Sequence, residues 1–175
     1  MDIYEIAEYI NELSSGYEIG KLQSIRKEIK GLSRKPGSKI FNDASISEKG
    51  WAFHYGGRTE LQFNIGFEEE GFRYGIAFSL ETSQSLPDVS ILYPKIAKLN
   101  DIIREHPEYF NNYSMWYWQE KRSKISHVFT ISDEIMTPNT FIFIGKIDDG
   151  DELNYHNILS TFDDLLKIYI VVESN

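Results

Sequence analysis

Apolar residues recur at helical spacing in two segments near the N-terminus. The two repeats consist of Ile3, Ile6, Ala7, Ile10 and Leu13, and of Leu22, Ile25, Ile29 and Leu32. This spacing places apolar side chains on one side of an α-helix, where they can pack against a core. Ser14-Ser15-Gly16 and Pro36-Gly37 supply the stop signals. The pattern therefore predicts a helical N-terminal part over residues 1–34.

Strict alternation of apolar and polar residues replaces the helical spacing after residue 58. Leu61, Phe63, Ile65 and Phe67 alternate with the polar residues Glu60, Gln62 and Asn64. A period of two predicts a strand with one apolar face and one polar face. A second alternating segment follows the acidic turn Glu69-Glu70-Gly71, so residues 59–68 and 71–82 predict an antiparallel hairpin.

The rest of the chain predicts one further helix, three strands and a closing helix. Apolar residues at helical spacing indicate a helix over 90–105, with Pro94 in its first turn. Strands are predicted over 115–120, 128–132 and 141–147, and the closing helix over 155–172. The predicted class is α+β, a mostly antiparallel sheet of about five strands with two N-terminal helices, a middle helix and a C-terminal helix. We expect a single domain, 1–175, with a sheet-containing body over 51–147.

The composition fits a folded domain with a substantial core. The chain has 175 residues and includes 11 Tyr, 11 Phe and 3 Trp, which is more aromatic side chains than a disordered chain carries. It has no Cys, which excludes disulfides and thiolate chemistry and predicts a reducing, cytoplasmic location. The first residues lack the basic and apolar regions of a signal peptide, and no apolar run approaches about 18 residues. No membrane partner is therefore predicted.

Charge is distributed unevenly along the chain. The net charge is −9, but the segment from Gly20 to Ile40 has seven basic residues and one acid, Glu28. The basic residues are Lys21, Arg26, Lys27, Lys30, Arg34, Lys35 and Lys39. Lys121 and Arg122 begin a smaller cluster. These residues predict a DNA-binding face, since a local positive charge can meet phosphates even on an acidic protein. The other interpretation is an ordinary solvated helix face.

Two aromatic runs suggest a ligand pocket. One run contains Trp51 and Tyr55, the other contains Trp116 and Trp118, and each alternates with its neighbours as strand residues do. Aromatic planes can stack a flipped base or another flat ligand, with the amide of Asn64 or Gln62 reading its edge. The alternative is that these rings belong to the core, as most large aromatic side chains do.

Known catalytic patterns are missing from the sequence. The four histidines are scattered, the glycine pair at 56–57 opens a strand and not a helix, and no Gly-x-Ser-x-Gly elbow is present. This favours a binding protein over an enzyme, and no cofactor or metal is predicted.

Glu60 and Glu81 could together bind Mg²⁺ if their strands were adjacent. The two-acid nuclease pattern also requires a lysine two residues after its second acid, but Gln62 and Ser83 occupy those positions. The interpretation that fits better is structural, with Glu60 paired to Arg58 or Arg73 across the hairpin.

Three segments of the chain carry a resemblance to a known family. They are Gly-Gly-Arg-Thr-Glu-Leu-Gln-Phe-Asn-Ile-Gly at 56–66, Arg-Tyr-Gly-Ile-Ala-Phe-Ser-Leu-Glu at 73–81 and Pro-Lys-Ile at 94–96. This part of the chain resembles the N-terminal specificity modules of bacterial modification-dependent restriction endonucleases, of which the methylcytosine-directed McrBC-type systems are the familiar case. The resemblance implies DNA binding and, in some members, a modified base flipped into an aromatic pocket. It assigns no contact residue in this chain.

Three hypotheses follow for the function. The first is a DNA-binding specificity module of a restriction or phage-defence system, which reads a modified base and relies on a separate nuclease or ATPase subunit for cleavage. The second is an acidic protein-interaction factor of the immunity or anti-restriction type, for which the basic segment is incidental. The third is a metal-dependent nuclease that uses Glu60 and Glu81.

Overall fold

The computed structural model describes residues 1–33 and 37–175. Four α-helices lie within these residues: α1 (Ile3–Leu13), α2 (Leu22–Lys30), α3 (Tyr93–Glu105) and α4 (Tyr155–Glu173). The side chain of Asp2 caps α1 by accepting the Glu5 N–H at 2.9 Å, and Pro94 lies in the first turn of α3 as predicted. None of the helices in the described residues is both long enough and apolar enough to cross a membrane.

Seven strands form one antiparallel sheet within the described part of the chain. They are β1 (Ile46–Ser47), β2 (Trp51–Phe53), β3 (Gln62–Glu68), β4 (Gly71–Ser79), β5 (Ser114–Trp118), β6 (Ser126–His127) and β7 (Phe141–Asp148), in the order β1-β2-β3-β4-β7-β5-β6. The α+β class is confirmed. The predicted number of about five strands is too low, because β1 and β6 have two residues each and are too short to show a period of two.

The predicted strand over 128–132 is wrong. The edge strand is β6, which pairs with β5 through Ser126 and Met115. Beyond it, the backbone N–H and C=O of Ile131 bond to the side-chain amide of Asn100 on α3, at 2.7 and 2.8 Å. Because one amide satisfies both backbone groups, this segment runs as a loop that is attached to a helix.

The helices cover one face of the sheet and leave the other face open. Buried residues of β3, β4 and β7 pack against the helices: Phe63, Ile65, Ile76, Phe78, Ile142 and Ile144. The alternate residues point the other way, where the buried cluster of Ala77, Trp116 and Phe143 contains strand residues only. We call the side of Phe63 the helix side and the side of Trp116 the open face.

The helix side contains a buried ion pair between Arg26 of α2 and Glu60. Arg26 Nη2 lies 2.8 Å from Glu60 Oε2, and Arg26 Nε lies 3.0 Å from Oε1. His54 Nδ1 accepts the backbone N–H of Phe63, so Nε2 carries the proton and donates it to Glu60 at 2.9 Å. The hydroxyl of Tyr169 on α4 also donates to Oε1. These donors replace the hydration that the carboxylate loses on burial.

Gly56 makes room for the Arg26 guanidinium. Its φ of +87° lies in the left-handed region that favours glycine, and a Cβ at this position would lie 2.2 Å from Arg26 Nη2. The Gly56 carbonyl oxygen accepts from Nη2 at 3.3 Å, and Gln23 Oε1 accepts from Nη1 at 2.7 Å. The guanidinium is therefore bound on all three nitrogens.

The ion pair corrects two predictions. The sequence predicts Arg26 on a DNA-binding face, but only 5% of this residue is exposed and its guanidinium is bound by Glu60, Gln23 and Gly56. The sequence also predicts Glu60 on a polar strand face beside Arg58 or Arg73. A 3-10 turn over Gly57–Thr59 precedes β3, so Glu60 lies outside the alternation and turns to the helix side.

Glu173, at the end of α4, is a second buried carboxylate that joins several elements. Its Oε1 accepts from Lys95 of α3 at 2.7 Å and also from Lys30 of α2, and its Oε2 accepts the Leu61 N–H at 3.0 Å. Lys30 is half-buried in this contact. Its charge is paired with Glu173, so it is less available to a phosphate than the charge of an unpaired surface lysine.

Arg26→Met should lower the free energy of unfolding by about 3–5 kcal/mol, because it leaves the Glu60 carboxylate buried without its cation. Lys27→Met, the neighbouring exposed position on α2, is the matched control and should change stability by less than about 0.5 kcal/mol. Urea unfolding measures both values. Equal losses in the two variants would contradict the structural role of Arg26.

Stability should also fall with acid through Glu60. Burial acts to raise the pKa of this carboxyl, but the hydrogen bond from His54 and the guanidinium of Arg26 outweigh burial and hold the pKa well below its ordinary value of 4.5. The native state then binds fewer protons than the unfolded chain, so this stabilisation is complete above about pH 5 and is lost as the pH falls below it. Urea unfolding over a series of pH values should show a steeper acid loss for the parent than for Arg26→Met/Glu60→Gln. Parallel curves would overturn this assignment.

Candidate ligand site on the open face of the sheet

The open face has a concavity of about 580 Å³ that four of the five predicted pocket residues line. These four are Trp51, Asn64, Trp116 and Trp118. The fifth, Tyr55, lies elsewhere and lines a separate groove with Lys39. The volume is typical of small-ligand sites. The concavity, which we call the open-face site, is also lined by Phe53, Arg58, Gln62, Arg73, Glu81 and Phe141.

The three tryptophans near the open-face site differ in exposure. Trp116 is 1% exposed and packs on Phe143 with ring centroids 4.4 Å apart, so it belongs to the core. Trp118, two residues later, is 49% exposed, and Trp51 is half-buried and stacks with Phe53 at 6.2 Å. Trp51 and Trp118 therefore have ring surface available to a ligand, whereas Trp116 forms the wall behind it.

Arg73 of β4 lies flat across the open face. Its guanidinium carbon is 5.2 Å from the ring centroid of Phe141, a cation–π distance, and Nη1 donates to Glu68 at 2.8 Å. Gly66 is opposite Arg73 in the β3–β4 register, and a Cβ there would lie 2.8 Å from the guanidinium carbon. Burial lowers the pKa of Arg73, and the Glu68 carboxylate opposes that change. Only a small part of the Arg73 side chain reaches solvent, so its hydrogen bonds are made to neighbouring protein groups.

A chain of side-chain hydrogen bonds leads from Arg73 into the site. Arg73 Nε donates to Asn64 Oδ1 at 2.9 Å, and Asn64 Nδ2 donates to Gln62 Oε1 at 2.8 Å. Asn64 and Gln62 are 1% and 3% exposed. Asn64, the predicted edge-reading residue, therefore has both ends of its amide occupied by protein groups.

Several cations lie in the open-face site or follow its strands along the chain, and they differ in their partners. Lys49 and Arg58 line it, and neither forms an ion pair with a carboxylate among the described residues. Arg58 lies over the Phe53 ring at 5.3 Å. Lys121 is exposed in the turn after β5. Arg122 instead binds Glu68 at 3.2 Å and also binds Glu70, so its charge is neutralised.

The members of the predicted basic segment that the structure describes differ in exposure and in partners. Arg26 and Lys30 are bound to buried carboxylates, as described above. Lys21 is exposed and lies 3.6 Å from Glu18, Lys27 is exposed, and Lys39 lines the groove beside Tyr55. Arg34 and Lys35 lie outside the described residues. The two exposed lysines of this segment near α2 lie on the helix layer, away from the open-face site.

The two carboxylates of the nuclease hypothesis do not share a site. Glu60 is bound on the helix side, whereas Glu81 is exposed and lines the open-face site. Since the sheet lies between them, one metal ion cannot contact both. No group of three or more metal-ligating side chains occurs in residues 1–33 and 37–175.

Sequence reasoning does not assign Lys49, Arg58, Arg73 or Phe141 to the site. Phe141 could only be found by knowing that β7 lies beside β4, because the two strands are 62 residues apart along the chain at the pair Ser79↔Phe141. The register then places Phe141 and Arg73 on the same face, where the long Arg73 side chain reaches the ring.

Comparisons of the chain with models of protein families, with curated proteins and with solved structures gave no match.

Trp116→Ala should cost about 3–5 kcal/mol of unfolding free energy, because it removes a fully buried indole from the cluster with Phe143. Trp118→Ala should cost less than about 1 kcal/mol, because half of this side chain is already in water. Thermal and urea unfolding of the two variants check the difference. A large loss of stability in Trp118→Ala would place that ring in the core and remove it from the site.

Proposed function

We propose that the chain is a DNA-binding specificity module of a restriction or phage-defence system, and that its open-face site receives a base that has left the helical stack. The observation that carries this proposal is the half-exposed Trp118 ring, which lines the same concavity as the amide of Gln62. Lys49 and Arg58 also line it, and they have no carboxylate partner in the described part of the chain. Aromatic planes, amides and cations are the groups that stack a base, read its edge and bind its phosphate.

Stacking supplies the main part of the expected affinity. A base stacked on an aromatic side chain contributes about 1–3 kcal/mol, whichever base it is. A base inside a duplex exposes only its edges, so the ring faces of Trp51 and Trp118 favour a single-stranded or flipped base. A modified base is a candidate ligand because mismatched or altered bases leave the stack at lower cost.

The charges near the site favour weak phosphate binding. Lys49 and Arg58 line the concavity and have no carboxylate partner among the described residues, and Lys121 is exposed in the turn that follows the lining residue Trp118. Three phosphate contacts on a single strand would make the logarithm of the binding constant fall with the logarithm of salt concentration with a slope of about −2. We therefore expect weak, salt-sensitive phosphate binding, with specificity coming from the base. DNA cleavage would belong to a separate nuclease or ATPase subunit.

One feature favours the alternative of an acidic protein-interaction factor. The turn between β3 and β4 contains Glu69 and Glu70, and the segment after β7 contains Asp149, Asp151 and Glu152, all exposed. Since β4 and β7 pair through Phe72 and Asp148, these acids lie at the same end of the sheet. Such a patch could steer a basic protein to this end.

Binding can be measured by the fluorescence anisotropy of labelled single-stranded and duplex DNA, plain and methylated, at two salt concentrations. Trp118→Ala should weaken binding of the preferred DNA by about 1–3 kcal/mol while leaving the fold intact. Lys21→Gln/Lys27→Gln, on the helix layer, is the matched control and should have a small effect.

Two outcomes would contradict the proposal. If the double lysine variant weakens binding and Trp118→Ala does not, the α2 surface carries the DNA contact and the open-face site does not. If the parent protein binds none of the DNA probes at low salt, the chain is not a DNA-binding module. In that case the acidic end of the sheet becomes the surface to test.

A further inference from the structure

We infer that Gln62 determines which bases the open-face site accepts, because it presents N–H donors to the concavity; the inference rests on the function proposed above. The expected ligands carry a keto oxygen at the contacted edge, as uracil and thymine do. Arg73 and Asn64 are positioning residues, which act by fixing the orientation of the Gln62 amide.

The orientation of the Gln62 amide follows from the donor that begins the hydrogen-bond chain. A guanidinium can only donate, so the oxygen of the Asn64 amide must face Arg73. The Asn64 nitrogen then faces Gln62 and donates to its oxygen. Each amide in the chain is thereby left with one orientation, and the Gln62 nitrogen points away from Asn64.

The Gln62 nitrogen reaches the wall of the open-face site. Gln62 is only 3% exposed, lines the concavity, and its Nε2 has no hydrogen-bond partner among the described residues. In residues 1–33 and 37–175, every fully buried side-chain nitrogen or oxygen has a partner. Nε2 is therefore accessible to a ligand. A ligand that excludes water from Nε2 would have to accept its hydrogen bond, because a buried donor without an acceptor is unfavourable.

A keto oxygen is the base substituent that fits this donor. A keto oxygen has two lone pairs in the plane of the ring. In a base stacked on an aromatic side chain, these lone pairs point to the side chains at the edge of the base. An exocyclic amino group at the same position would place N–H against N–H and leave both unsatisfied. We expect the 4-position of a pyrimidine to meet Nε2, where uracil has a keto oxygen and cytosine has an amino group, so uracil should bind more tightly than cytosine.

Asn64→Asp should reverse the preference without changing Gln62 itself. The introduced carboxylate would keep the contact with Arg73, but it has no N–H to offer the Gln62 oxygen. The Gln62 amide then turns so that Nε2 donates to this carboxylate and Oε1 faces the concavity. The site changes from a donor to an acceptor and should favour the amino-bearing base.

The experiment compares single-stranded oligonucleotides of deoxyuridine and of deoxycytidine, about 10 nucleotides long, which is within the site size of single-strand-binding folds. We expect the parent to bind the deoxyuridine probe about tenfold more tightly, the ratio that one well-formed hydrogen bond provides. Asn64→Asp should prefer deoxycytidine. Gln62→Glu, which has no donor at all, should show the same reversal and decides the question if Asn64→Asp does not fold. Gln84→Glu adds the same charge at an exposed loop position and should keep the parent preference.

Several outcomes would overturn the inference. Equal binding of the two probes by the parent, a parent preference for deoxycytidine, or an unchanged preference in both Asn64→Asp and Gln62→Glu would each show that Gln62 does not select the base. In those cases DNA binding, and with it the proposed function, would still stand. Failure of the parent to bind either probe removes the proposed function and this inference together.

Discussion

The buried Glu60 carboxylate is the interaction on which the packing of helices against the sheet depends. It takes hydrogen bonds from Arg26 of α2, from His54 after β2 and from Tyr169 of α4. A carboxylate without water is tolerated only when a cation and further donors surround it, so these elements have to meet at one point. Glu173 repeats the arrangement with two lysines a short distance away. The basic character of α2 is thus partly a requirement of the core and only partly a property of the surface.

The open face also contains a buried charge that is surrounded by partners, on the other side of the sheet from Glu60. No helix of the described residues packs there, so aromatic rings that alternate with core residues remain partly exposed. Arg73 is held there by Glu68 and by aromatic rings, and its charge serves to orient amides. A cation that is fixed in this way contributes direction to a site more than it contributes attraction, since its own charge is already paired.

This distinction between fixed and available charge separates the functional hypotheses. Counting basic residues along the chain assigns DNA binding to the segment from Lys21 to Lys39, but two of its members bind buried carboxylates. Lys49 and Arg58, which have no carboxylate partner among the described residues and lie near exposed aromatic rings, belong to a different surface. The metal site of the nuclease hypothesis is not formed by Glu60 and Glu81, because these two carboxylates lie on opposite sides of the sheet. We therefore propose recognition of a flat ligand as the function of the open face.

The pattern of apolar residues by itself determined the helices, the β3–β4 hairpin and the α+β class, because helical and strand periodicities are local properties of the chain. It also singled out Trp51, Asn64, Trp116 and Trp118, which the fold brings to one concavity. Only the tertiary structure decided that Trp116 is core while Trp118 is exposed, since this depends on the neighbour that β7 supplies in Phe143. The same holds for Arg26 and Glu60, which are 34 residues apart and pair only because α2 packs over the start of β3. Long-range pairing of strands and burial of charge depend on residues that are distant in sequence. The local periodicity of apolar residues therefore does not predict them.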